Sequence, residues 1–403
     1  MTISTEKISK LWAIGSGLAL FTIIFCVPFQ ATIQSRSGRD YASYHYAVQA
    51  VSGGQSPYDV ENLDQLARQE GTRKHVHPFF YPPPAILPLM WLKPWNLATG
   101  AVLFLGFNVL CLLGSLLVMH RWLKVSWGVL FSISFLLWPV IDSMKMGQIN
   151  LFIGLLMMVA LRHQSGLALS LASMTKMSPA LLFFGWLSKG YWRLVMYCTM
   201  GCIALTMLVT PWISISEQIY FYQVILPEFS SGAYHGLSVP INIPANHSIP
   251  DLYNQLFPSE RNVVLSDTAR RLSSVTSLFL FVSIVLLGRI FQSKSSDIFV
   301  SASLICLMIV VPVYCYEHHL SLLLLPVTIC IDTIQKRHRK WLPLAWSWLA
   351  FGGMPLFVLS WLKRQIPMLE WFLQESKWFF IMTIMVYCLW AAKQANSTLL
   401  ESE

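Results

Sequence analysis

One carboxylate near the start of the chain lies where acid–base chemistry is possible. Asp40 belongs to the stretch RSGRDYASYHYAVQAVSGGQSPYD, residues 36–59, which closely follows the first long apolar run. If that run spans a bilayer, Asp40 lies at the membrane surface. A carboxylate at such a place can accept a proton as a general base. It can equally cap the following helix by accepting backbone N–H groups, and the two roles are compatible.

A lysine interrupts a later apolar run. Lys176 lies near the middle of residues 166–188, in the sequence TKMSP. A lysine at the centre of a membrane helix is unfavourable by about 2.5–3.5 kcal/mol. We therefore expect two half-length helices that form a hairpin and bring Lys176 to the external face. The alternative is a helix-end lysine whose stem extends to the interface.

The composition is that of an integral membrane protein. The chain has 403 residues, of which 55% are hydrophobic and 12% charged, against about 25% charged residues in soluble domains. Its net charge of +9 comes from Lys and Arg in short clusters between apolar runs, as the positive-inside rule predicts, so we expect no nucleic-acid partner. The eight cysteines lie almost wholly inside apolar runs, without CxxC pairs. Neither a disulfide framework nor a metal site is expected.

The apolar runs predict one polytopic membrane domain over residues 1–403. The first run, residues 11–29, is long enough to cross a bilayer and lacks a following A-x-A cleavage site, so we expect a retained helix and not a signal peptide. The pattern predicts about twelve membrane segments, some short or re-entrant, with both termini cytoplasmic. Residues 125–141 and 341–362 are each predicted to be a single crossing. Two long external loops are predicted, at residues 30–84 and 214–271.

The first external loop contains a predicted short helix in the membrane interface. Apolar and polar residues recur at helical spacing on two faces, and Gly53 and Gly54 end the pattern. The apolar face consists of Tyr41, Tyr44, Val48 and Val51, and the polar face of Ser43, His45, Gln49 and Ser52. Such a helix would hold Asp40 at its start.

Polar residues that border apolar runs lie almost entirely on the external side of this topology, whereas the internal loops are short and rich in Lys and Arg. The external set comprises Asp40, Tyr81, Asp142, Lys145, Gln148, Lys176, Asn246, Ser248, Glu317, His318 and His319. A transporter is expected to place its site near the midplane, often between repeated halves. An outward-facing reaction chamber therefore fits the asymmetry better.

Several members of this set also have structural explanations. Tyr81 can belong to an aromatic belt at the membrane interface. Asp142 and Lys145 are expected to pair with each other at a loop. His318 and His319 can be interfacial histidines, and we expect only one of them to face the chamber.

The sequence lacks the motifs of several enzyme classes. It has no G-x-S-x-G, H-E-x-x-H or Walker A sequence and no Asp-rich metal cluster. The remaining chemistry is one carboxylate that can act as a base, with cations and imidazoles that can hold an anionic group. No nucleotide-sugar pool is expected outside the membrane, so a substrate of the chamber would be carried by a lipid.

An ordered set of short motifs extends over residues 36–326. The motifs are GRDYASYHYAVQAVSGGQSPYD, YPPPAILPL, GQINLFIGLL, LASMTKMSPALLFF, PANHS and EHHLSLLLLP. In this order they resemble the membrane proteins of glycosyltransferase family 87, which are related to polyprenol-phosphate-mannose-dependent α-mannosyltransferases. His247 in PANHS and the sequence YEHH depart from the usual pattern. The resemblance implies an all-α integral membrane protein with a GT-C-type multi-span helical bundle.

The resemblance also implies a reaction. It would be an inverting transfer of a sugar, with mannose favoured, from a β-linked polyprenyl-phosphate donor to a hydroxyl of a glycolipid or glycan. Asp40 would be the general base, and Tyr44 would match the tyrosine of the family's D-x-x-x-Y motif. Lys176 and either His318 or His319 would recognise the donor phosphate. No metal or other cofactor is implied.

The same resemblance implies a location and a set of partners. The protein would be a multi-pass protein of the bacterial inner membrane, with its active site on the extracytoplasmic side. Its partners would be the donor, the acceptor and membrane lipids. The candidate site comprises Asp40, Tyr44, Tyr81, Gln148, Lys176, Asn246, Ser248, His318 and His319.

Two other functions remain open. A lipid-linked sugar flippase or transporter would move its lipid without bond cleavage and would tolerate Asp40→Asn. An O-antigen ligase-like enzyme would use a diphosphate-linked donor and would depend on external arginines, here Arg270 and Arg271, more than on a carboxylate. These two arginines are otherwise expected to bind lipid headgroups.

Overall fold

Helices make up all regular structure in the described part of the chain. The computed structural model describes residues 5–34, 39–231, 240–260 and 263–400, and its internal gaps fall within the two long loops predicted above. Six helices are long and apolar enough to cross a membrane, or up to eight if each of two bent pairs counts as one span. Four shorter apolar helices have 10–17 residues. The predicted all-α, multi-span fold is confirmed.

The part of the chain before the second long loop carries most of the candidate site residues, on its helices or in the connections between them. These helices are α1 Thr5–Ile24, α2 Gln30–Ile33, α3 Arg39–Ser52, α4 Val60–Gln69, α5 Leu97–Leu123, α6 Trp127–Leu136, α7 Pro139–Met146, α8 Asn150–His163, α9 Gly166–Thr175, α10 Leu181–Ser188 and α11 Trp192–Val209. A π-helical segment occupies Phe25–Phe29, and 3-10 helices occupy Pro83–Leu92 and Ser178–Ala180.

The remaining helices complete the bundle. They are α12 Ile215–Tyr220, α13 Leu226–Ser231, α14 Ile249–Leu256, α15 Asp267–Ile290, α16 Lys294–Val310, α17 Leu324–Arg337, α18 Leu342–Gly352, α19 Leu356–Gln365, α20 Glu370–Gln374 and α21 Ser376–Leu400. A π-helical segment, Phe221–Ile225, joins α12 to α13, and 3-10 helices lie at Glu317–Leu323, Arg339–Trp341 and Pro367–Leu369.

The first candidate span is longer than predicted. The helix α1, a π-helical segment and α2 together form a candidate membrane span over Glu6–Ile33. The sequence predicted a span over residues 11–29. Pro28 lies inside the π-helical segment. Because proline lacks a backbone N–H and its ring crowds the preceding turn, the helix accommodates it by widening that turn.

Side-chain caps explain where several helices begin. At the start of α9, Ser165 Oγ accepts the backbone N–H of Ala168 at 3.2 Å. A short polar side chain at this position satisfies one of the N–H groups that a helix N-terminus leaves free. The same kind of cap begins α5 at Asn96, α6 at Ser126, α15 at Ser266 and α16 at Ser293.

Two runs predicted as single crossings are bent pairs of helices. The helices α6 and α7 meet at an angle of 66°, and the helix ending at Gly352 meets α19 at 94°. Pro139 begins α7, and Pro355 immediately precedes α19. Proline cannot donate the backbone hydrogen bond that would continue the preceding turn. The predicted crossings at residues 125–141 and 341–362 are therefore broken and not continuous.

The predicted break at Lys176 is confirmed. The helix α9 ends at Thr175, and a 3-10 turn leads from there into α10. Lys176 itself has φ −152° and ψ 128°, an extended conformation that no helix can contain. The lysine is thus carried on a bend between two short apolar helices.

The helices α16 and α17 form the buried centre of the bundle. Most residues of α16 from Phe299 onwards are buried, and α10, α15, α17 and α21 pack around it. The surrounding helices expose large apolar side chains, including Leu110 of α5, Met207 of α11 and Phe279 of α15. Exposed apolar surface of this kind is expected where a protein faces lipid.

The helix α3 follows the first span, as predicted, and it ends at Ser52 before Gly53 and Gly54. Its predicted polar face is not open, however, because Ser43 and His45 are as buried as its apolar residues. The helices α4 and α5 and the 3-10 helix Pro83–Leu92 pack around α3. Helical spacing identified the helix but could not show that other segments fold over its polar side.

Gly166→Ala tests the close contact between α9 and α11. A Cβ atom at Gly166 would lie 2.5 Å from the Leu194 carbonyl oxygen and 2.7 Å from the Cys198 backbone nitrogen, and backbone atoms cannot rotate away. We expect the variant to lose about 1–3 kcal/mol of stability through overpacking, measured as a lower melting temperature in detergent.

Gly106→Ala in α5 is the matched control, since nothing lies within 4 Å of a Cβ atom at that position. Alanine is favoured over glycine in a helix by about 0.5–1 kcal/mol, so the melting temperature should be unchanged or slightly higher. An equal fall in both variants, or no fall in Gly166→Ala, would contradict the packing described.

Candidate active site

Asp40 lies inside the first turn of α3 and not at its N-cap position, because the helix already includes Arg39. Only 8% of Asp40 is exposed, and its Oδ2 atom has no hydrogen-bond partner among the described residues. An unsatisfied buried polar atom is unfavourable by about 1–3 kcal/mol. The capping explanation therefore does not account for this carboxylate oxygen.

Two cavities meet at Asp40. The first has a volume of about 470 Å³ and the second about 550 Å³. Four residues line both cavities, namely Asp40, His77, Tyr316 and His318. The carboxylate is therefore reachable from two directions.

The first cavity has a largely apolar wall with a small number of polar groups. Its apolar residues include Leu181, Phe229 and Met308. Its cations are Lys176 and Arg270, and Arg270 also contacts the Asp267 carboxylate one turn earlier in α15. The combination suits a ligand with an apolar part and an anionic part.

Tyr44, Tyr81 and Gln148 form a hydrogen-bonded triad close to Asp40. The Tyr44 hydroxyl lies 2.6 Å from Tyr81 Oη and 3.0 Å from Gln148 Oε1, and Tyr81 Oη lies 3.2 Å from the same amide oxygen. Burial raises the pKa of both tyrosines above the ordinary value of about 10, so both remain protonated. Tyr81 and Gln148 line the first cavity. Tyr44 does not line it and contacts both of these residues through its hydroxyl group.

Lys176 is linked to the histidine segment through an asparagine. Its Nζ atom donates to Asn150 Oδ1 at 3.0 Å, and Asn150 Nδ2 donates to the His318 carbonyl oxygen at 2.9 Å. Burial lowers the pKa of Lys176 to about 8, because the ammonium loses contact with water, while the Asp40 carboxylate acts in the opposite direction. Asn150 thus sets the position of the cation relative to His318.

His318 and His319 both line the first cavity, so the prediction that only one would face the chamber is wrong. They lie in the 3-10 helix Glu317–Leu323, and their ring centroids are 4.4 Å apart in an edge-on arrangement. His319 Nδ1 accepts the Tyr316 backbone N–H at 3.2 Å. The tight turn of the 3-10 helix brings the two adjacent rings to one side.

The second cavity has a different set of charges. Asp142, Lys145 and Glu317 line it together with the aromatic residues Trp138 and Phe357. Asp142 and Lys145 lie in α7, and no ion pair joins them among the described residues. The predicted pairing of these two residues at a loop is therefore wrong, since each is left to face the cavity.

Asn246 and Ser248 were predicted to bind substrate, but neither lines a cavity. Asn246 Nδ2 donates to the carbonyl oxygens of Ile241 and Val313, and its Oδ1 accepts the Cys315 N–H. Ser248 caps α14 and also donates to the Val313 carbonyl oxygen. Their polar atoms hold two backbone segments together, so we withdraw both from the substrate-binding set.

Two residues of the site were missed by the sequence reasoning. His77 and Tyr316 line both cavities beside Asp40. His77 lies four positions before the start of the motif YPPPAILPL, and Tyr316 directly precedes the histidine motif. Their position next to these motifs was the one indication in the sequence that they could belong to the site. The spacing of the surrounding residues did not show that their side chains face the cavities.

The arrangement can accept a proton and hold an anion in adjacent places. Within the described residues, no group of three or more His, Cys, Asp or Glu residues could hold a metal ion. The positive charge in the first cavity comes from Lys176 and Arg270, and His318 and His319 add imidazole groups. A base beside an anion-binding group suits the attack of a hydroxyl on an activated carbon.

Comparison with known proteins identifies a family. A model of glycosyltransferase family 87 matches residues 79–313, which is more than half of the 403-residue chain. Tyr81, Gln148 and Lys176 lie inside the matched segment, whereas Asp40 and His318 lie outside it. No curated protein and no solved structure matches the chain. The match agrees with the ordered motifs of the sequence, and the chain belongs to glycosyltransferase family 87.

Proposed function

We propose that this membrane glycosyltransferase transfers a sugar from a polyprenyl-phosphate donor to a hydroxyl of a glycolipid or glycan, with Asp40 as the general base. The observation that carries this proposal is the junction of two cavities at Asp40, a buried carboxylate with one oxygen atom that has no hydrogen-bond partner among the described residues. A transfer reaction needs two substrates to meet at one base. Asp40 is the residue at which a donor and an acceptor could do so.

The first cavity is the proposed donor site. Its apolar wall suits the first part of a polyprenyl chain, and Lys176, His318 and His319 suit the phosphate. A lysine ammonium stabilises negative charge that develops on the departing phosphate. Tyr81 and Gln148 line the same cavity and can serve as hydrogen-bonding partners for the sugar.

The second cavity is the proposed acceptor site. Trp138 and Phe357 offer apolar faces for a sugar ring, and Asp142 and Lys145 offer hydrogen-bonding groups. An acceptor hydroxyl that enters from this side reaches Asp40 without crossing the donor site. The two substrates therefore approach the base from different directions.

The proposed reaction is a single displacement. The acceptor oxygen forms a bond to the anomeric carbon while the bond between that carbon and the phosphate oxygen breaks. Asp40 takes the hydroxyl proton, and the polyprenyl phosphate leaves with the electron pair of the broken bond. Attack opposite to the leaving group inverts the configuration, so a β-linked donor yields an α-linked product. The positive charge of Lys176 and the hydrogen-bonding capacity of the histidines allow this step without a metal ion or other cofactor.

The proposed setting is the extracytoplasmic face of a bacterial inner membrane, with mannose as the sugar. The lipid-borne donor supports this setting, because nucleotide sugars are not expected outside the membrane. The resemblance of the motifs to polyprenol-phosphate-mannose-dependent enzymes supports the sugar. Membership of a glycosyltransferase family favours an enzyme over a flippase.

A diphosphate-linked donor is the second candidate. The observation in its favour is that Arg270 lines the first cavity, as a second cation for a longer anionic group. This alternative predicts that Arg270→Gln abolishes transfer and that Asp40→Asn is tolerated. Our proposal predicts the reverse, namely that Asp40→Asn lowers the transfer rate far more than Arg270→Gln does.

Asp40→Asn tests the base. Asparagine keeps the shape of the side chain but cannot take the proton, so we expect transfer to fall by about 10²–10⁴-fold. The measurement is the initial rate with a synthetic polyprenyl-phosphate mannose and a glycan acceptor in detergent. Donor binding should change much less than the rate.

Asp59→Asn is the matched control, because Asp59 caps α4 by accepting the Glu61 N–H at 3.0 Å and lines neither cavity. Asparagine caps helices about as well as aspartate, so this variant should transfer sugar at the parent rate. Equal rates for Asp40→Asn and the parent would exclude Asp40 as the base.

Lys176 predicts a loss of activity at alkaline pH. Its pKa is lowered to about 8, so the cation is present below that pH and is lost as the pH rises through it. In the free enzyme, kcat/KM for the donor should therefore fall above about pH 8. Lys176→Arg keeps its charge throughout this range and should not show that fall. If both proteins lose activity in parallel above pH 8, Lys176 is not the titrating group.

A further inference from the structure

A second lysine is buried deep in the protein and takes no part in the mechanism above. Lys377 lies at the start of α21, and its side chain is fully buried. Its Nζ atom lies 2.6 Å from the Glu317 carboxylate and 2.6 Å from the Met354 carbonyl oxygen. On the other side of the carboxylate, His247 Nε2 lies 3.2 Å from Glu317 Oε1. Lys377, Glu317 and His247 thus form one buried charge cluster.

The cluster is placed directly against the proposed active site. Glu317 is the first residue of the 3-10 helix that carries His318 and His319, and it lines the second cavity. Lys377 lines neither cavity and lies beyond the segment matched by the family model. Its hydrogen bond to Glu317 connects it to a side chain that lines the second cavity.

The cluster also joins segments that are far apart in the sequence. The His247 backbone N–H donates to the Cys315 carbonyl oxygen at 3.0 Å, next to the histidine segment. Met354 lies in the bend between α18 and α19, and Lys377 begins α21. The PANHS loop, the histidine segment and the C-terminal helices thus meet at one carboxylate.

Stability alone is a weak reason to keep such a cluster. Replacing a buried ion pair by apolar residues of similar volume is often neutral or stabilising, whereas removing one partner costs about 3–5 kcal/mol. A buried charge in a membrane protein is more often connected with function. The place of Glu317, immediately before His318, indicates what that function would be.

We infer that Lys377 is a positioning residue that, through Glu317, orients the 3-10 helix bearing His318 and His319 for phosphate recognition. The Lys377 ammonium and the His247 ring contact the Glu317 carboxylate from two sides. Because Glu317 is the first residue of the 3-10 helix, these contacts fix the orientation of that helix. Since this role rests on the proposed transfer reaction, its test needs one measurement of catalysis and one of geometry.

The catalytic measurement compares three variants with the parent. Lys377→Met removes the cation, Lys377→Arg restores one, and the double variant Glu317→Gln/Lys377→Met removes both charges. Kinetic constants for a synthetic polyprenyl-phosphate mannose and the melting temperature in detergent are measured for each. A misplacement near 1 Å can lower a rate by about 10²-fold, so we expect kcat to fall by about that factor in Lys377→Met.

The double variant separates positioning from stability. It leaves no unpaired buried charge, so its melting temperature should recover towards that of the parent. Its kcat should nevertheless remain low, because the ion pair that fixes the direction of the helix is absent. Lys377→Arg should recover most of the lost kcat. A double variant with the parent kcat would overturn the inference.

Lys189→Met is the matched control. Lys189 is also buried and is paired with Asp297, but it connects the chain after α10 to α16 and lines neither cavity. The variant should lose stability while keeping kcat. A fall in kcat as large as that of Lys377→Met would make general destabilisation the explanation and overturn the positioning role.

The geometric measurement does not depend on transfer. Each protein is treated with diethyl pyrocarbonate, and labelling of His318 and His319 is followed by mass spectrometry. The labelling rates should change in Lys377→Met and in the double variant and stay at the parent values in Lys189→Met. Unchanged rates in the double variant overturn the inference. If the parent makes no product but labelling changes as expected, the proposed function fails while the positioning role holds.

Discussion

The burial of the Asp40 carboxylate is the constraint on which the site depends. One of its oxygen atoms has no hydrogen-bond partner among the described residues. Burying such an atom is unfavourable, so the surrounding structure must hold the side chain in place. Packing supplies the restraint. The helix α3 is covered on both faces, and Tyr41 approaches α5 so closely that a Cβ atom at Gly100 would lie 2.0 Å from its hydroxyl oxygen. This packing fixes the backbone of the helix turn that carries Asp40.

The polar groups around Asp40 are held by a chain of pairwise contacts. Tyr44 holds Tyr81 and Gln148, and Asn150 holds Lys176 next to the backbone of the histidine segment. Each of these contacts joins elements that are distant in sequence. A rigid set of donors and cations needs little rearrangement when charge develops during a reaction, and this is the main source of electrostatic catalysis.

Much of the fold followed from local chemistry. Apolar runs predicted the spans, Gly53 and Gly54 predicted the end of α3, and the unfavourable burial of Lys176 predicted the break between α9 and α10. These features depend on residues close together in sequence. The bends at Pro139 and Pro355 were missed because the apolar run continues through each proline, and hydropathy does not register the lost hydrogen bond.

The candidate site was predicted less completely, since the partner of a polar side chain depends on tertiary contacts. Asn246 and Ser248 had the same polarity and predicted side of the membrane as Gln148, yet their atoms bind backbone groups that lie far away in sequence. His77 carried no spacing signal. Lys377 was not singled out in the sequence, because its partner Glu317 is 60 residues away.

The central claim is an inverting transfer at Asp40 between two cavities. Its most direct test is the anomeric configuration of the product formed from a β-linked polyprenyl-phosphate sugar and a defined acceptor, determined by NMR. The account predicts an α-linked product. A β-linked product, or movement of the lipid without cleavage of the sugar–phosphate bond, would contradict it.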